Sequence, residues 1–220
     1  METQHLLWTR YSLKLKLNEN DQLKEEIDAR TYWFHWRQNQ FLNRTLVERK
    51  LTNKCNTALG IAYSQISIPN DPTVIAVDKI AEIRPQLEVI YNHKLAPQFS
   101  LNHPYWSELR FFKQTDGSFD FTTCRMRYKL ELNYTPSPIL TLKAFNELFL
   151  NAGGHTTNHF DQNRYGTSIQ CMPLKTLGFE LGYLNWYQNR GSGDAFYNRH
   201  MVRFTIHQTL QLKKQKSQSI

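Results

Sequence analysis

The sequence predicts an all-β fold, a single antiparallel up-and-down transmembrane β-barrel, from three observations. Polar and apolar residues alternate with a period of two along most of the 220 residues, as on strands with two different environments. The alternating segments exceed the roughly 5–6 residues of ordinary strands and approach the roughly 9–11 that cross a bilayer at a tilt. Short connections alternate with longer ones, which collects the tight turns at one rim, as in outer-membrane barrels.

Strands are expected where the alternation is strongest, with turn residues between them. A hairpin over residues 11–33, about the polar residues 18–21, opens the series. The remaining segments are 43–51, 57–67, 84–95, 105–112, 122–134, 140–151, 160–173, 178–188 and 201–212. The other short connections are residues 52–56, 95–98, 135–138 and 173–176, and the longer ones are 69–82, 113–120, 151–159 and 189–198.

The expected number of strands follows from closure, since bacterial single-chain barrels leave no free edge and close with an even number. The segments number about eleven along the chain, so one assignment must be wrong. We therefore expect about 12 strands, with about 10 as the alternative. Residues 73–84 are the best candidate for a further crossing, unless residues 29–46 hide an extra bend. Residues 1–220 form one domain, with flexible ends expected at 1–6 and 213–220.

Charged residues of both signs occupy one parity of the segments. In residues 122–134, arginine, lysine and glutamate alternate with cysteine, methionine, tyrosine and leucine. In a membrane barrel the charged face lines the lumen, where arginine and glutamate pair. Arg127 and Glu147 would then form either a charged constriction or an ion pair that fills the lumen. The predicted lumen charge cluster is Arg30, Glu108, Arg110, Arg125, Arg127, Lys129, Glu131, Glu147, Arg164, Glu180 and Arg203.

Large aromatic residues gather toward the ends of segments, where a membrane barrel carries a girdle at each interface. Glu25 and Arg49 fall on the apolar parity, and we expect both near the rim with the short turns. The predicted girdle residues are Tyr32, Trp33, Phe34, Tyr105, Trp106, Phe111, Phe112, Tyr183, Trp186 and Tyr187.

Composition and motifs argue against several classes of function. A net charge of +8 fits an anionic partner, but glutamate matches the basic residues strand by strand, unlike on a nucleic-acid surface. The three cysteines have neither zinc nor disulfide spacing, and His155 and His159 lie in a glycine-containing loop, so we expect no metal and no cofactor. No complete nucleophile and base arrangement is present, and parity places Ser168 in the lumen, so we expect no enzyme.

Short motifs along nearly the whole chain resemble one bacterial family. They are R-P-x-x-E at 84–88, W-x-E-L-R-F-F at 106–112, R-x-R-Y-K-L at 125–130, N-E-L-F-L-N at 146–151, F-D-Q-N-R at 160–164 and E-L-G-Y at 180–183. Through them the chain resembles the DUF2490 family, a domain of unknown function. The resemblance implies a small outer-membrane β-barrel exported behind a cleaved signal peptide, with no established catalytic residues. The residues after Met1 have no such signal, as expected for a mature chain.

The sequence therefore predicts a β-barrel of the bacterial outer membrane, acting as a narrow channel or a structural envelope component with a charged lumen. Its expected partners are outer-membrane lipid and small anionic solutes, not nucleic acid. Two alternatives stay open. A soluble barrel would turn the apolar parity inward and bind a hydrophobic ligand. An outer-membrane lipid hydrolase would need an activated serine beside a histidine at the lipid interface.

Overall fold

The computed structural model describes residues 1–74, 76–153, 156, 159–190 and 195–212. The strands are β1 (Glu2–Lys16), β2 (Asp21–Tyr32), β3 (Gln38–Lys50), β4 (Cys55–Ile68), β5 (Asp78–Ala96), β6 (Phe99–Lys113), β7 (Phe119–Ser137), β8 (Leu140–Ala152), β9 (Phe160–Cys171), β10 (Leu177–Asn189) and β11 (Phe196–Gln211). Each strand pairs antiparallel with the next along the chain, and β1 pairs with β11 in parallel to close the barrel. Among the described residues, no helix is long and apolar enough to cross a membrane.

The predicted all-β, antiparallel up-and-down barrel is confirmed, since the described chain is all-β and forms one closed barrel. The number of strands is eleven, between the two even numbers expected. No further crossing is needed because β1 and β11 run in the same direction and pair from Glu2↔Tyr197 to Lys16↔Gln211. The later part of the candidate stretch 73–84 is the beginning of β5, and residues 33–37 are a single connection between β2 and β3.

The connections sort onto two rims, as the sequence predicts. The connections that follow β1, β3, β5, β7 and β9 lie at the short-turn rim, together with the end of β11. The connections that follow β2, β4, β6, β8 and β10 lie at the opposite, long-loop rim, where β1 begins. Because the first and last strands begin at the same rim, they can close the barrel only as a parallel pair.

Side chains alternate between the interior of the barrel and its outer surface. Outward positions are predominantly apolar, and Leu59, Ile169 and Leu181 are each more than half exposed. Inward positions carry most of the charged residues, and Glu82 and Glu108 have no exposed surface. The barrel is therefore polar inside and apolar outside, the reverse of an ordinary soluble protein.

Most of the first expected flexible end, residues 1–6, belongs to a strand in the structure. β1 begins at Glu2, so residues 2–6 are paired with β11 along the closing seam. Leu6 is buried inside the barrel in a cluster with Trp8, Leu184 and Met201, which explains why this end is ordered. Residues 213–220, the other expected flexible end, lie outside the described residues.

The predicted aromatic girdle is partly internal. Tyr32, Trp106 and Trp186 point into the barrel, and each is less than a tenth exposed. Their parity, not their position near a strand end, decides the face on which they lie. The predicted girdle residues that are exposed on the outside are Trp33, Phe34, Tyr105 and Tyr183.

The two charged residues on the apolar parity find polar partners on the outer surface. Arg49 lies at the short-turn rim, where its Nε donates to Oδ1 of Asp21 over 2.7 Å. Glu25 lies further along β2 and accepts hydrogen bonds from Asn43, at 2.5 Å, and from the Thr45 hydroxyl. A polar patch therefore interrupts the apolar surface of β2 and β3.

Candidate functional site

The candidate site is the charged interior of the barrel. All eleven residues of the predicted lumen charge cluster lie at inward positions of their strands. Two groups of inward side chains differ in their partners. We define the ion-pair wall as Glu82, Arg84, Glu108, Arg110, Arg125, Arg127 and Glu147, on β5–β8. We define the tryptophan wall as Trp8, Arg30, Arg164, Trp186 and Arg199, on β1, β2 and β9–β11.

Glu108 is the centre of the ion-pair wall. Its Oε2 accepts from Nε of Arg125 at 2.9 Å, and its Oε1 accepts from Nη1 of Arg127 at 2.5 Å. Arg127 also donates to Oε1 of Glu147, through Nη2 at 2.5 Å and Nε at 3.1 Å. Arg125 contacts Asp161 at 3.3 Å. The chain of contacts runs from β6 to β9 and gives each of these buried charges a partner of opposite sign.

Glu82 extends the ion-pair wall onto β5. Its Oε1 accepts from Nε of Arg110 on β6, and its Oε2 from Nη2 of Arg84, both at 2.5 Å. The Ser64 hydroxyl donates to Oε2 as well, at 3.1 Å. The carboxylate is thus satisfied from three side chains although it is fully buried.

The part of the interior nearer the short-turn rim is also paired. Oε2 of Glu180 accepts from Lys143 at 2.8 Å and contacts His207 at 3.1 Å, while its Oε1 accepts from Arg203 at 2.7 Å. Lys129 donates to Glu131 on the same strand. In this part of the barrel, Lys143, Arg203 and Lys129 therefore each have a carboxylate partner.

The tryptophan wall is built around one indole. Arg164 and Arg199, the register partners of Trp186 on β9 and β11, have their guanidinium carbons 4.5 and 4.6 Å from its ring centroid. The guanidinium of Arg30 reaches the same ring at 5.3 Å and lies 4.2 Å from the ring of Trp8. Three cations therefore share two aromatic side chains, an arrangement stabilised by cation–π attraction.

The arginines of the tryptophan wall bond to amide oxygens rather than carboxylates. Arg164 and Arg199 form no ion pair with the described residues, and the nearest carboxylate of Arg30 is Asp28 at 3.8 Å. That carboxylate already accepts from Arg10 at 2.6 and 2.9 Å. The acceptors are Gln40 for Arg30, Gln162 for Arg164, and Gln4 and Gln188 for Arg199.

Several donors of the tryptophan wall have no acceptor. On this wall, the buried nitrogens without a hydrogen-bond partner among the described residues are Nε of Arg30, Nε of Arg164, Nη2 of Arg199 and the indole Nε1 of Trp8 and Trp186. Arginine and tryptophan carry donors only, so these groups cannot satisfy one another. Among the described residues, these five nitrogens therefore have no acceptor, and Arg164 and Arg199 have no carboxylate partner.

A cavity of about 290 Å³ lies between the two walls. Its described lining includes ten arginines and two lysines but three glutamates. Arg127 and Glu147, predicted as either a constriction or a filling ion pair, both line the cavity and bond directly to each other. The cavity is therefore polar and positively charged, and it is enclosed by the barrel strands.

The sequence interpretation missed three residues of this site. Trp8 and Arg199 were left out because the segments 11–33 and 201–212 begin too late, whereas β1 and β11 begin at Glu2 and Phe196. Trp186 was assigned to the outer girdle, although it shares its inward parity with Leu184 and Gly182. Extending the alternation to the strand ends would have found Trp8 and Arg199, and applying the parity within residues 178–188 would have found Trp186.

Two of the residues considered for other chemistry, Ser168 and His159, lie within the described part of the chain. Ser168 points into the barrel, as parity predicts, and is buried. His159 contacts the carbonyl oxygen of Asn151 at 3.1 Å, and His155 lies outside the described residues. Among the residues that the structure describes, no group of three or more histidine, cysteine, aspartate or glutamate side chains is placed to hold a metal ion.

The fold and the interior define a class, a closed β-barrel with a charged interior and an apolar exterior. The chain belongs to the family described as protein of unknown function (DUF2490), whose model matches residues 6–197. This agrees with the family that the sequence motifs resemble. No curated protein matches the chain.

Proposed function

We propose that the chain is an integral β-barrel of the bacterial outer membrane. The observation that carries the proposal is the apolar outer surface, on which many leucine, isoleucine, valine and tyrosine side chains are exposed. Soluble proteins rarely expose an apolar area of this extent, whereas a barrel in lipid requires one. Outer-membrane lipid is then the partner that covers this surface.

The orientation of the two faces also weighs against the soluble alternative. A soluble barrel that binds a hydrophobic ligand would line its cavity with the apolar parity. Here that parity faces outward, and arginine is the commonest residue in the described lining of the cavity. A hydrophobic ligand inside the barrel would leave those charges without water or partners, which is costly.

For the role of the lumen we propose a structural envelope component whose interior is filled at rest. Side chains in the middle of the barrel, such as Trp8, Phe149 and Glu108, are almost inaccessible to water. A narrow channel for small anionic solutes is the second candidate, favoured by the positively charged cavity between the walls. We propose neither an enzymatic role nor a nucleic-acid partner.

Membrane insertion predicts heat-modifiable migration. Protein folded in detergent should migrate differently on SDS gels before and after boiling, because a closed barrel without an edge resists SDS. The same protein should insert into liposomes and resist extraction by carbonate. A monomer that stays soluble and folded without detergent would refute the proposal.

The filled lumen predicts little or no conductance from wild-type protein in planar bilayers. Arg127→Ala removes the side chain that links Glu108 and Glu147, so it should raise conductance or change ion preference if the lumen can open. Arg49→Ala, at the short-turn rim, is the control and should leave the trace unchanged. Steady conductance from wild type would favour the channel over the structural role.

A further inference from the structure

Two buried arginines of the tryptophan wall, Arg164 and Arg199, form no ion pair with the described residues, and the carboxylate nearest to Arg30 is 3.8 Å away. Arg30, Arg164 and Arg199 are each more than nine-tenths buried, and all three guanidinium groups lie within 5.3 Å of the ring centroid of Trp186. On the ion-pair wall, by contrast, Arg127 has two carboxylate partners at 2.5 Å. Like charges gathered away from water repel unless an anion joins them.

The free donors of these residues suit an oxyanion. Each arginine keeps one nitrogen without an acceptor, and the indole Nε1 of Trp8 and Trp186 adds two more donors. A tetrahedral oxyanion offers several acceptor oxygens for these nitrogens and a negative charge for the arginines. Guanidinium groups in particular match such anions through paired hydrogen bonds.

The site is inside the barrel, toward the long-loop rim. All three arginines line the cavity of about 290 Å³, which has room for a small solute. Gln4 connects the site to the connection after β4, since its Oε1 accepts from Arg199 at 2.8 Å and its Nε2 donates to the carbonyl of Asn70 at 2.7 Å. The strands separate this position from the outer surface, so a free solute fits better than a lipid headgroup.

We propose that Arg30, Arg164 and Arg199 bind one small oxyanion of the phosphate or sulfate class inside the barrel. The inference deepens the proposed function, on which it rests for the source of the solute. The two fail separately. A folded, membrane-inserted barrel that ignores phosphate overturns the site alone, whereas a soluble protein that binds phosphate overturns membrane insertion alone.

The test is calorimetric titration of inorganic phosphate into the full chain folded in a nonionic maltoside detergent. Wild type should bind one phosphate, and sulfate should compete with it. Arg164→Gln and Arg199→Gln should each weaken binding by about tenfold or more, the effect of losing a charge-assisted bond. Arg110→Gln is the matched control, because Arg110 lines the same cavity but is paired with Glu82. The affinity of this variant for phosphate should stay near that of wild type.

Three results would overturn the site. The first is that folded wild type does not bind phosphate. The second is that Arg110→Gln loses as much phosphate affinity as Arg164→Gln and Arg199→Gln. The third is that short-chain phosphatidic acid binds in the same micelles and inorganic phosphate does not. Heat-modifiable migration of each variant checks that it has folded. Should Arg164→Gln not fold, Arg164→Lys keeps the charge but loses the guanidinium fork, and it should still bind phosphate more weakly than wild type.

Discussion

The two walls of the lumen bury the same kind of side chain and stabilise it by different means. On the ion-pair wall, Arg125 and Arg127 share the carboxylate of Glu108, and Arg127 reaches Glu147 as well. On the tryptophan wall, Arg164 and Arg199 lie against Trp186 and bond only to amide oxygens among the described residues. Every arginine of the ion-pair wall has a carboxylate partner, whereas Arg164 and Arg199 on the tryptophan wall have none among the described residues.

The magnitudes show what this difference means for stability. Removing one partner of a buried ion pair costs about 3–5 kcal/mol, because the other charge is left uncompensated. A desolvated cation–π contact contributes about 2 kcal/mol, while an unsatisfied buried donor costs about 1–3 kcal/mol. Removing one charge from the ion-pair wall is therefore expected to destabilise the barrel strongly, whereas removing one arginine from the tryptophan wall should change its stability little until an anion binds.

The largest expected effect is at Glu108. Glu108→Gln should lower the free energy of unfolding by about 3–5 kcal/mol, because Arg125 and Arg127 would lose the carboxylate they share. Urea unfolding in detergent micelles, followed by tryptophan fluorescence, measures the change. Asp21→Asn, which breaks the exposed pair with Arg49, should alter the curve little. Equal losses in the two variants would contradict a special role for the ion-pair wall.

An intermediate effect on the free energy of unfolding should distinguish an ion-paired arginine from one without a carboxylate partner. In phosphate-free buffer, Arg127→Met should lose about 3 kcal/mol, because it leaves Glu108 and Glu147 underpaired. Arg164→Met should stay within about 1 kcal/mol of wild type, since the lost cation–π contacts are offset by removal of an unpaired charge. The same urea experiment compares them.

A loss in Arg164→Met as large as that in Arg127→Met would break the comparison. It would mean that the tryptophan wall is stabilised as strongly as the ion-pair wall. Repeating both unfolding curves with phosphate sharpens the test, because a ligand that binds only the folded state stabilises it. Wild type and Arg127→Met should then gain stability from phosphate, whereas Arg164→Met should gain less.

The sequence predicts the faces of this barrel better than its contacts. Alternation places Arg127, Glu147 and Arg164 on the inward parity, because the side-chain period of a strand is independent of the partner strand. The alternation does not predict that Arg127 bonds to Glu147 while Arg164 does not. The choice of partner depends on strand register and on side-chain geometry across three strands. The tryptophan wall joins β1 and β2 to β9–β11, positions far apart along the chain.

The number of strands shows a second limit of the same kind. The pattern of the chain gives about eleven segments, and the structure has eleven strands. The general rule of even closure pointed away from that number, because it assumes that the first and last strands pair antiparallel. Residues 2–16 run parallel to β11 along the whole seam, so local alternation was the better guide here than a rule about families of barrels.

The smallest expected effect is a difference in acid titration between two connections at the long-loop rim. Oδ1 of Asp71 accepts from the backbone N–H of Thr73 at 2.9 Å, and Oδ1 of Asp116 accepts from the backbone N–H of Ser118 at the same distance. The hydrogen bonds from Thr73 lower the pKa of Asp71 below 3.8, and those from Ser118 do the same for Asp116. The positive charge of Arg37 lowers the pKa of Asp71 further.

Both turns should lose their carboxylate hydrogen bonds in acid, and the turn at Asp71 should do so at a lower pH than the turn at Asp116. A carboxylate whose folded pKa is depressed stabilises its turn above the unfolded pKa, and this contribution is lost as the pH falls through the folded pKa. The amide NMR shifts of Thr73 and Ser118, followed from pH 6 down to about pH 2, report the two losses.

We expect the Thr73 midpoint at the lower pH, because Arg37 lies beside the connection after β4, where it donates to the carbonyl of Val74 at 2.6 Å. High salt screens exposed charges, so about 1 M sodium chloride should bring the two midpoints together. A lower midpoint for Ser118, or a difference that survives salt, would contradict the influence of Arg37.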